Sequence, residues 1–164
     1  MKILIVSDTH RYHKYYDKMF EIEEKADLLI HLGDLEGGEY FKEQTAGCPV
    51  HMVAGNNDLF TQLPREKEFV LRNKKIFITH GHYYHVSRGK ERIIAEAVKR
   101  HADIVMYGHT HRPVLEHVDG RNGKILLLNP GSISYPRQPG RQGTYMVMEI
   151  NEQNEVHVEL KYVD

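Results

Sequence analysis

The chain opens on Lys2-Ile3-Leu4-Ile5-Val6-Ser7-Asp8-Thr9-His10, a nearly unbroken apolar run of β-branched character that ends in a short polar cluster. A run of that length without polar alternation reads as a strand buried on both faces, the kind that starts an α/β sheet. The same arrangement returns along the chain. Residues 27–32 end in Gly33-Asp34 and residues 50–54 in Gly55-Asn56-Asn57-Asp58, while residues 75–79 run into His80-Gly81-His82 and residues 103–107 into Gly108-His109-Thr110-His111. Five polar clusters, each placed where a strand-like run stops, organise the sequence.

The intervening segments carry helical periodicity. Residues 14–25 space Tyr15, Met19 and Ile22 at helical intervals among charges, with Ala26 following. Residues 39–46 read as a short helix stopped by Gly47 and Pro49, and residues 90–101 as a helix with an apolar stripe of Ile93, Ile94, Ala97 and Val98. Residues 68–71 and 75–79 form a predicted hairpin around Arg72-Asn73-Lys74. Beyond Pro113 the texture turns antiparallel: residues 114–118 and 124–128 flank a turn at 119–123, and residues 143–150 and 155–163 flank Asn151-Glu152-Gln153-Asn154. A parallel first half and an antiparallel second half predict an α/β fold of two mixed sheets packed face to face with helices outside, a four-layer α-β-β-α sandwich.

With 164 residues and 40% hydrophobic composition, the chain is expected to form one domain over residues 1–164. The formal net charge is −1, from 22 Lys and Arg against 23 Asp and Glu, so no bulk field marks nucleic acid or an anionic membrane as an obligate partner. The single cysteine, Cys48, excludes an internal disulfide, and the run after Met1 is too short for a signal-peptide core or a membrane span. A soluble cytoplasmic protein is the expectation. Histidine is the outlier at 12 residues.

Open α/β sheets gather the C-terminal ends of their strands at one edge, where ligand sites form, so clusters far apart in sequence converge there. Carboxylates and imidazoles on several loops are what a pair of divalent cations requires, with one ligand able to touch both. Asp8 and His10 lie two apart past a strand end, where an extended backbone would turn both side chains to one side; His109 and His111 share that spacing. Gly33, Gly55, Gly81 and Gly108 let loops turn sharply and approach an ion or phosphate closely.

Asp8-x-His10, Gly33-Asp34, Gly55-Asn56, His80-Gly81-His82 and Gly108-His109-x-His111 resemble the signature of the calcineurin-like metallophosphoesterase family. The resemblance spans residues 2–132, and Asn129-Pro130-Gly131-Ser132 is similar to a loop of its small prokaryotic phosphodiesterase branch. It implies one ion on Asp8, His10 and His111, a second on Asn56, His80 and His109, and Asp34 bridging them. It further implies hydrolysis of a small phosphodiester or nucleotide by a hydroxide bridging two divalent metals, attacking in line at phosphorus. Mn²⁺ is the expected metal, with Zn²⁺, Fe²⁺ and Ni²⁺ suiting the same ligands. Asn57 departs from the family pattern, where many members carry His: an amide hydrogen-bonds but is no general acid, which favours diesters and leaves His82 as the nearest substitute proton donor.

Blander readings stand beside these. Asp8, Asp34 and Asp58 each suit a helix N-cap. His82 and His85 read as site groups or as a solvated stretch, and His13, His31, His51, His101, His117 and His157 lack metal-ligand spacing and read as surface or satisfied core residues. Residues 129–132 suit an ordinary turn, which the resemblance makes a wall of the site. Tyr12, Tyr15 and Tyr16 read as core before base-stacking groups, and Arg137 and Arg141 as phosphate-steering or merely solvated. The alternative function is a metal-binding scaffold or protein-interaction module, because the fold also resembles that of the retromer scaffold subunit; oligomer formation is compatible with either.

Overall fold

Ile3 and Ile5 point to one side of the first strand and Leu4 and Val6 to the other, and all four are fully buried. A computed structural model of the chain describes residues 1–38, 45–121 and 123–163. Residues 39–44 of the expected helix, and Asn122 of the expected turn, lie outside the described residues.

The first sheet contains β1 (Lys2–Val6), β2 (Leu28–His31), β3 (Val50–Met52), β9 (Gly143–Ile150) and β10 (Val156–Val163), in the order β10-β9-β1-β2-β3. The second contains β4 (Glu66–Leu71), β5 (Lys74–Thr79), β6 (Ile104–Met106), β7 (Pro113–Asp119) and β8 (Lys124–Pro130), in the order β4-β5-β6-β8-β7. Between the sheets lie Ile3, Ile5 and Ile30 from one and Ile76, Ile78 and Leu128 from the other. Each fully buried Ile or Leu contributes about 1.5–3 kcal/mol relative to exposure.

Strand alternation sends the opposite faces outward to the helices. Helix α1 (His13–Glu23) seats Tyr16 and Met19 on Leu4, Val6, Leu29 and Val147, and ends where Glu24 takes φ 50°. Helix α2 (Glu91–Arg100) seats Ile93 and Ala97 on Phe77, Val105 and Leu127. Glu91 in its first turn and Lys99 and Arg100 in its last complement the helix dipole, and His101 closes it in the left-handed conformation. The four-layer α-β-β-α order follows. No described helix is long and apolar enough to cross a membrane.

One expectation changes. Both sheets are mixed as expected, but the second half is not wholly antiparallel: β9 and β10 return to pair antiparallel beside β1, while β8 runs parallel to β6 as well as antiparallel to β7. Residues 124–128 therefore belong to the parallel set β5-β6-β8, matching β1-β2-β3 in the other sheet. The reason is packing. Leu127 faces α2 while Leu126 and Leu128 face the other sheet, so β8 is buried on both faces and fits a central position that an exposed hairpin arm could not fill.

Candidate metal centre

The C-terminal ends of β1, β2, β3, β5 and β6 carry the five polar clusters to a common edge. There the backbone is unusual. Asp8, His10, Asp34, His109 and His111 all adopt positive φ, between 43° and 69°, a region that side-chain-bearing residues seldom enter and that costs about 1–3 kcal/mol each. The pairs Asp8/His10 and His109/His111 thus converge through tight left-handed turns, not through the extended backbone that their spacing suggested.

Asp8, His10, Asp34 and His111 offer ligand atoms that all lie within 4.8 Å of one another. His111 Nε2 is 3.0 Å from Asp8 Oδ1 and 3.4 Å from His10 Nε2, which in turn lies 3.9 Å from both Asp8 Oδ1 and Asp34 Oδ2. The tautomers follow from the outer partners. His111 Nδ1–H donates to the Tyr135 carbonyl at 2.7 Å and His10 Nδ1–H to Glu36 Oε1 at 2.6 Å, so in the neutral rings both Nε2 lone pairs face inward. Asp8 Oδ1, fully buried, has no hydrogen-bond partner. A buried carboxylate oxygen facing two imidazole lone pairs is costly unless positive charge sits among them. These residues fit a divalent cation.

On the other side of Asp34, His80 Nε2 lies 3.5 Å from Asp34 Oδ2 and 3.2 Å from Asn56 Oδ1, while its Nδ1–H donates to the Leu32 carbonyl at 2.7 Å. The His109 ring packs edge-on against His80 at 5.2 Å between centroids. Burial pushes His80 toward its neutral form, but Asp34 and Asp8 outweigh it and raise its pKa: the pocket's anions draw positive charge inward. Burial likewise opposes ionisation of Asp34, yet His80, the Asn57 N–H and His10 hold its carboxyl well below the usual carboxylate range. Asp34 is therefore ionised and stands between the His10/His111 pair and the His80/Asn56 pair. Two carboxylates, an amide oxygen and imidazoles, with no thiolate, suit Mn²⁺, Fe²⁺, Zn²⁺ or Ni²⁺.

Asn57 binds Asp34 twice, through its N–H to Oδ1 at 2.8 Å and its Nδ2–H to Oδ2 at 2.7 Å. Its amide is committed to that carboxylate. His82 is half-buried beside His80 and His109, and burial with the charges of those two rings pushes its pKa down to about 4, so it is neutral near pH 7. Its Nδ1 is buried without a partner.

Two glycines show how tightly the loops close. A Cβ on Gly108 would fall 2.0 Å from Ser7 Oγ and 2.9 Å from Asp8 Oδ2; one on Gly55 would fall 2.1 Å from Asp34 Oδ1. Residues 129–132 are a brace: the Asn129 amide donates to Gly108 O and Thr110 Oγ1, and Ser132 Oγ donates to the Asp8 carbonyl and accepts from Tyr135 N–H. Asp8 does not cap α1, whose N-cap is Tyr12 without a side-chain cap bond. Asp58 accepts the Glu36 and Gly55 N–H groups, tying two site loops together.

His31 is a satisfied core residue, accepting Gly33 N–H at Nδ1 and facing Thr9 Oγ1 with Nε2. His85, His101, His117 and His157 are exposed, and His51 stacks on Phe69. Tyr16 lies in the core, whereas Tyr12 is exposed and meets Tyr135 at the rim of the site. Sequence reasoning missed Glu36, although a second carboxylate two residues after Asp34 was a usable signal. The carbonyls of Leu32 and Tyr135 leave no mark on sequence.

The family model of the calcineurin-like phosphoesterase superfamily domain matches residues 1–153. The chain belongs to that family. A probable metallophosphoesterase of Methanocaldococcus jannaschii is 35% identical to this calcineurin-like phosphoesterase over 144 residues, covering 85% of the chain and 71% of the relative. A phosphodiesterase of the same organism is 32% identical over 149 residues, covering 80% and 83%. The crystal structure of a predicted phosphoesterase from Streptococcus pneumoniae superposes with a TM-score of 0.79 at 27% identity, covering 98% of this chain and 97% of that one.

Proposed function

We propose that this calcineurin-like phosphoesterase is a soluble, cytoplasmic, single-domain phosphodiesterase that works with two divalent ions, Mn²⁺ in the first instance, on a small phosphodiester or nucleotide. The observation that supports this most directly is the unpartnered, buried Asp8 Oδ1 facing the Nε2 atoms of His10 and His111 across from Asp34. Asp8, His10 and His111 would hold one ion and Asn56, His80 and His109 the other, with Asp34 between them. Ions held there would supply Lewis acidity, the chemistry that lowers the pKa of water from 15.7 towards about 7 and offsets charge on a phosphoryl group.

The chain's own residues supply positioning and exclusion. Asn57 fixes the plane of the Asp34 carboxylate through both of its hydrogen bonds, acting as a positioning residue whose amide is not free for a leaving group. Glu36 and the Tyr135 and Leu32 carbonyls fix the His10, His111 and His80 rings. His82, neutral near pH 7, can offer a hydrogen bond to a phosphoryl or leaving oxygen but not a cationic proton. Without a cationic acid, leaving groups that need no protonation are favoured, consistent with activated diesters.

The test is hydrolysis of bis(p-nitrophenyl) phosphate by protein reconstituted with Mn²⁺. Turnover that requires the metal and falls to background in Asp34→Ala is expected. No turnover with any of Mn²⁺, Zn²⁺, Fe²⁺ or Ni²⁺, or an Asp34→Ala variant of near-normal rate, would overturn the assignment.

A binding module is the second reading, favoured by the exposed Leu59, Phe60 and Tyr83 beside Asn56 and His82. A partner held equally by wild type and Asp34→Ala, with no hydrolysis of any diester, would select it.

A further inference from the structure

His10 and His111 form one wall of an open cleft of about 720 Å³ whose other lining includes Tyr135, Arg112, Arg137 and Arg141. The same three arginines line an adjoining cleft, so their side chains surround a shared space. Among the described residues, no carboxylate pairs with any of them. The contrast within the molecule is sharp: Arg100 is held by Glu66, Glu68 and Glu96, and Arg11 lies against Glu36. Glu36, the one acidic group lining the cleft among the described residues, is already committed to His10 Nδ1 and Arg11. With a chain net charge of −1, this concentration of unpaired guanidinium is local and not a general basicity.

The loop that presents two of these groups is built onto the candidate metal centre. Arg137 N–H donates to the His111 carbonyl at 2.9 Å, and the Tyr135 carbonyl accepts His111 Nδ1–H. Ser132 Oγ links the loop to the Asp8 carbonyl. Further along, Arg141 N–H donates to the Gln138 carbonyl and the Gln138 amide to the Gln142 carbonyl, closing the loop on itself. The arginine stems therefore leave a backbone referenced to the same histidine that faces Asp8. Guanidinium matches a phosphate's oxygens in a planar fork, and a dianionic phosphate accepts from more than one such fork.

We propose that Arg112, Arg137 and Arg141 form a subsite for a second phosphate group on the substrate. Resting on the phosphodiesterase reading above, this narrows the substrate class to phosphodiesters that carry a further phosphate on one arm. The scissile phosphorus would lie at Asp34 and the second phosphate in the arginine cleft. Tyr135, half-exposed and packed edge-on against His10 and Tyr12, walls the space between and suits the sugar or base of a nucleoside.

Two chromogenic probes isolate the claim: thymidine 5′-(p-nitrophenyl phosphate) and the same ester bearing a 3′-phosphate. Mn²⁺-loaded wild type should prefer the 3′-phosphorylated probe by about tenfold or more in kcat/KM, mainly through KM, and Arg137→Ala or Arg112→Ala should bring that ratio toward unity. Arg137→Lys, which keeps charge but loses the fork, should give an intermediate ratio. A calorimetric titration with thymidine 3′,5′-bisphosphate and thymidine 5′-monophosphate reads the subsite without turnover. Tighter binding of the bisphosphate, lost in the arginine variants, supports the subsite even where no diester is hydrolysed, in which case the phosphodiesterase reading alone fails. A wild-type ratio near unity in both measurements, or a preference that survives all three alanine substitutions, overturns it.

Discussion

Replacing Gly55 by Ala should disable the site through one misplaced methyl group. The added Cβ would lie 2.1 Å from Asp34 Oδ1 and 2.3 Å from Asp34 N, against a floor of 3.0 Å for real contacts, so relief needs movements of about 0.9 and 0.7 Å. Rotation of the carboxylate would relieve only the first clash, because the second is with backbone. The Asp34 loop must shift. It is held by Asn57 at Oδ1 and Oδ2 and by the His10 N–H on the Asp34 carbonyl, so the displacement spreads to three site loops. Misplacement on the order of 1 Å costs about 10²-fold in rate, and overpacking of this kind costs about 1–3 kcal/mol, lowering Tm by roughly 3–10 °C in a chain of this size. The assay pairs metal-dependent p-nitrophenol release with a thermal melt. Gly89→Ala is the control: its Cβ also meets an atom at 2.2 Å, but that atom is Glu91 Oε2, the free end of a flexible side chain. Gly89→Ala should melt and turn over like wild type. A Gly55→Ala enzyme within about threefold of wild-type activity would refute the claim that Asp34 placement limits the site.

Three further outcomes are expected. Asn57→Ala keeps the backbone donor to Asp34 Oδ1 but removes the Nδ2 donor to Oδ2, so kcat should fall about tenfold with little change in KM; an unchanged kcat in steady-state kinetics would remove its positioning role. Glu36→Gln weakens the partner of His10 Nδ1, and affinity for Mn²⁺ in a chelator competition should fall about 10–100-fold, whereas an unaltered affinity would show that His10 is held otherwise. Glu23 faces Lys2 and Tyr145; burial opposes its ionisation, but those partners prevail and lower its pKa beneath 4.5. Because the unfolded chain then binds the extra proton first, the stabilisation is complete above pH 4.5 and lost as pH falls through the lower folded value. The Tm gap between wild type and Glu23→Gln should be full at neutral pH and close in acid; a gap that widens below pH 4.5 would contradict the pairing.

Much of the frame was legible because buried strands announce themselves. The run from Lys2 to Val6 could be read as two-faced burial, and the polar residues after each such run mark the edge where parallel strands end. Helix α2 was legible from one stripe, Ile93, Ile94, Ala97 and Val98. Sheet membership was not: whether residues 124–130 pair only as a hairpin or also lie beside β6 depends on long-range packing of Leu127, which no local pattern encodes. At the site, residue types were readable and conformations were not. Asp8-x-His10 looks like an extended pair, yet φ of 56° and 43° turns it left-handed, a choice imposed by the loops closing on it. Asn57 could be marked as a departure in sequence, but only its two contacts with Asp34 reveal what the amide does instead. The ring-orienting carbonyls of Leu32 and Tyr135 belong to side-chain-blind chemistry, since any residue type would supply the same oxygen.

The candidate ligands divide between the two sheets, with Asp8, His10, Asp34 and Asn56 following strands of the first and His80, His109 and His111 following strands of the second. An ion shared across that division would be a rivet as much as a reagent. It would tie residue 8 to residue 111 and residue 34 to residue 80, joining layers whose shared core is interdigitated side chains. Ligand that binds only the folded chain adds about 2.7 kcal/mol at a hundredfold excess over its dissociation constant, so a metal bound there would set the mechanical integrity of the sandwich at this edge. Metal starvation would then loosen the seam between the sheets first, and hydrogen exchange at Val6, Leu32 and Gly108 would register it before any global unfolding.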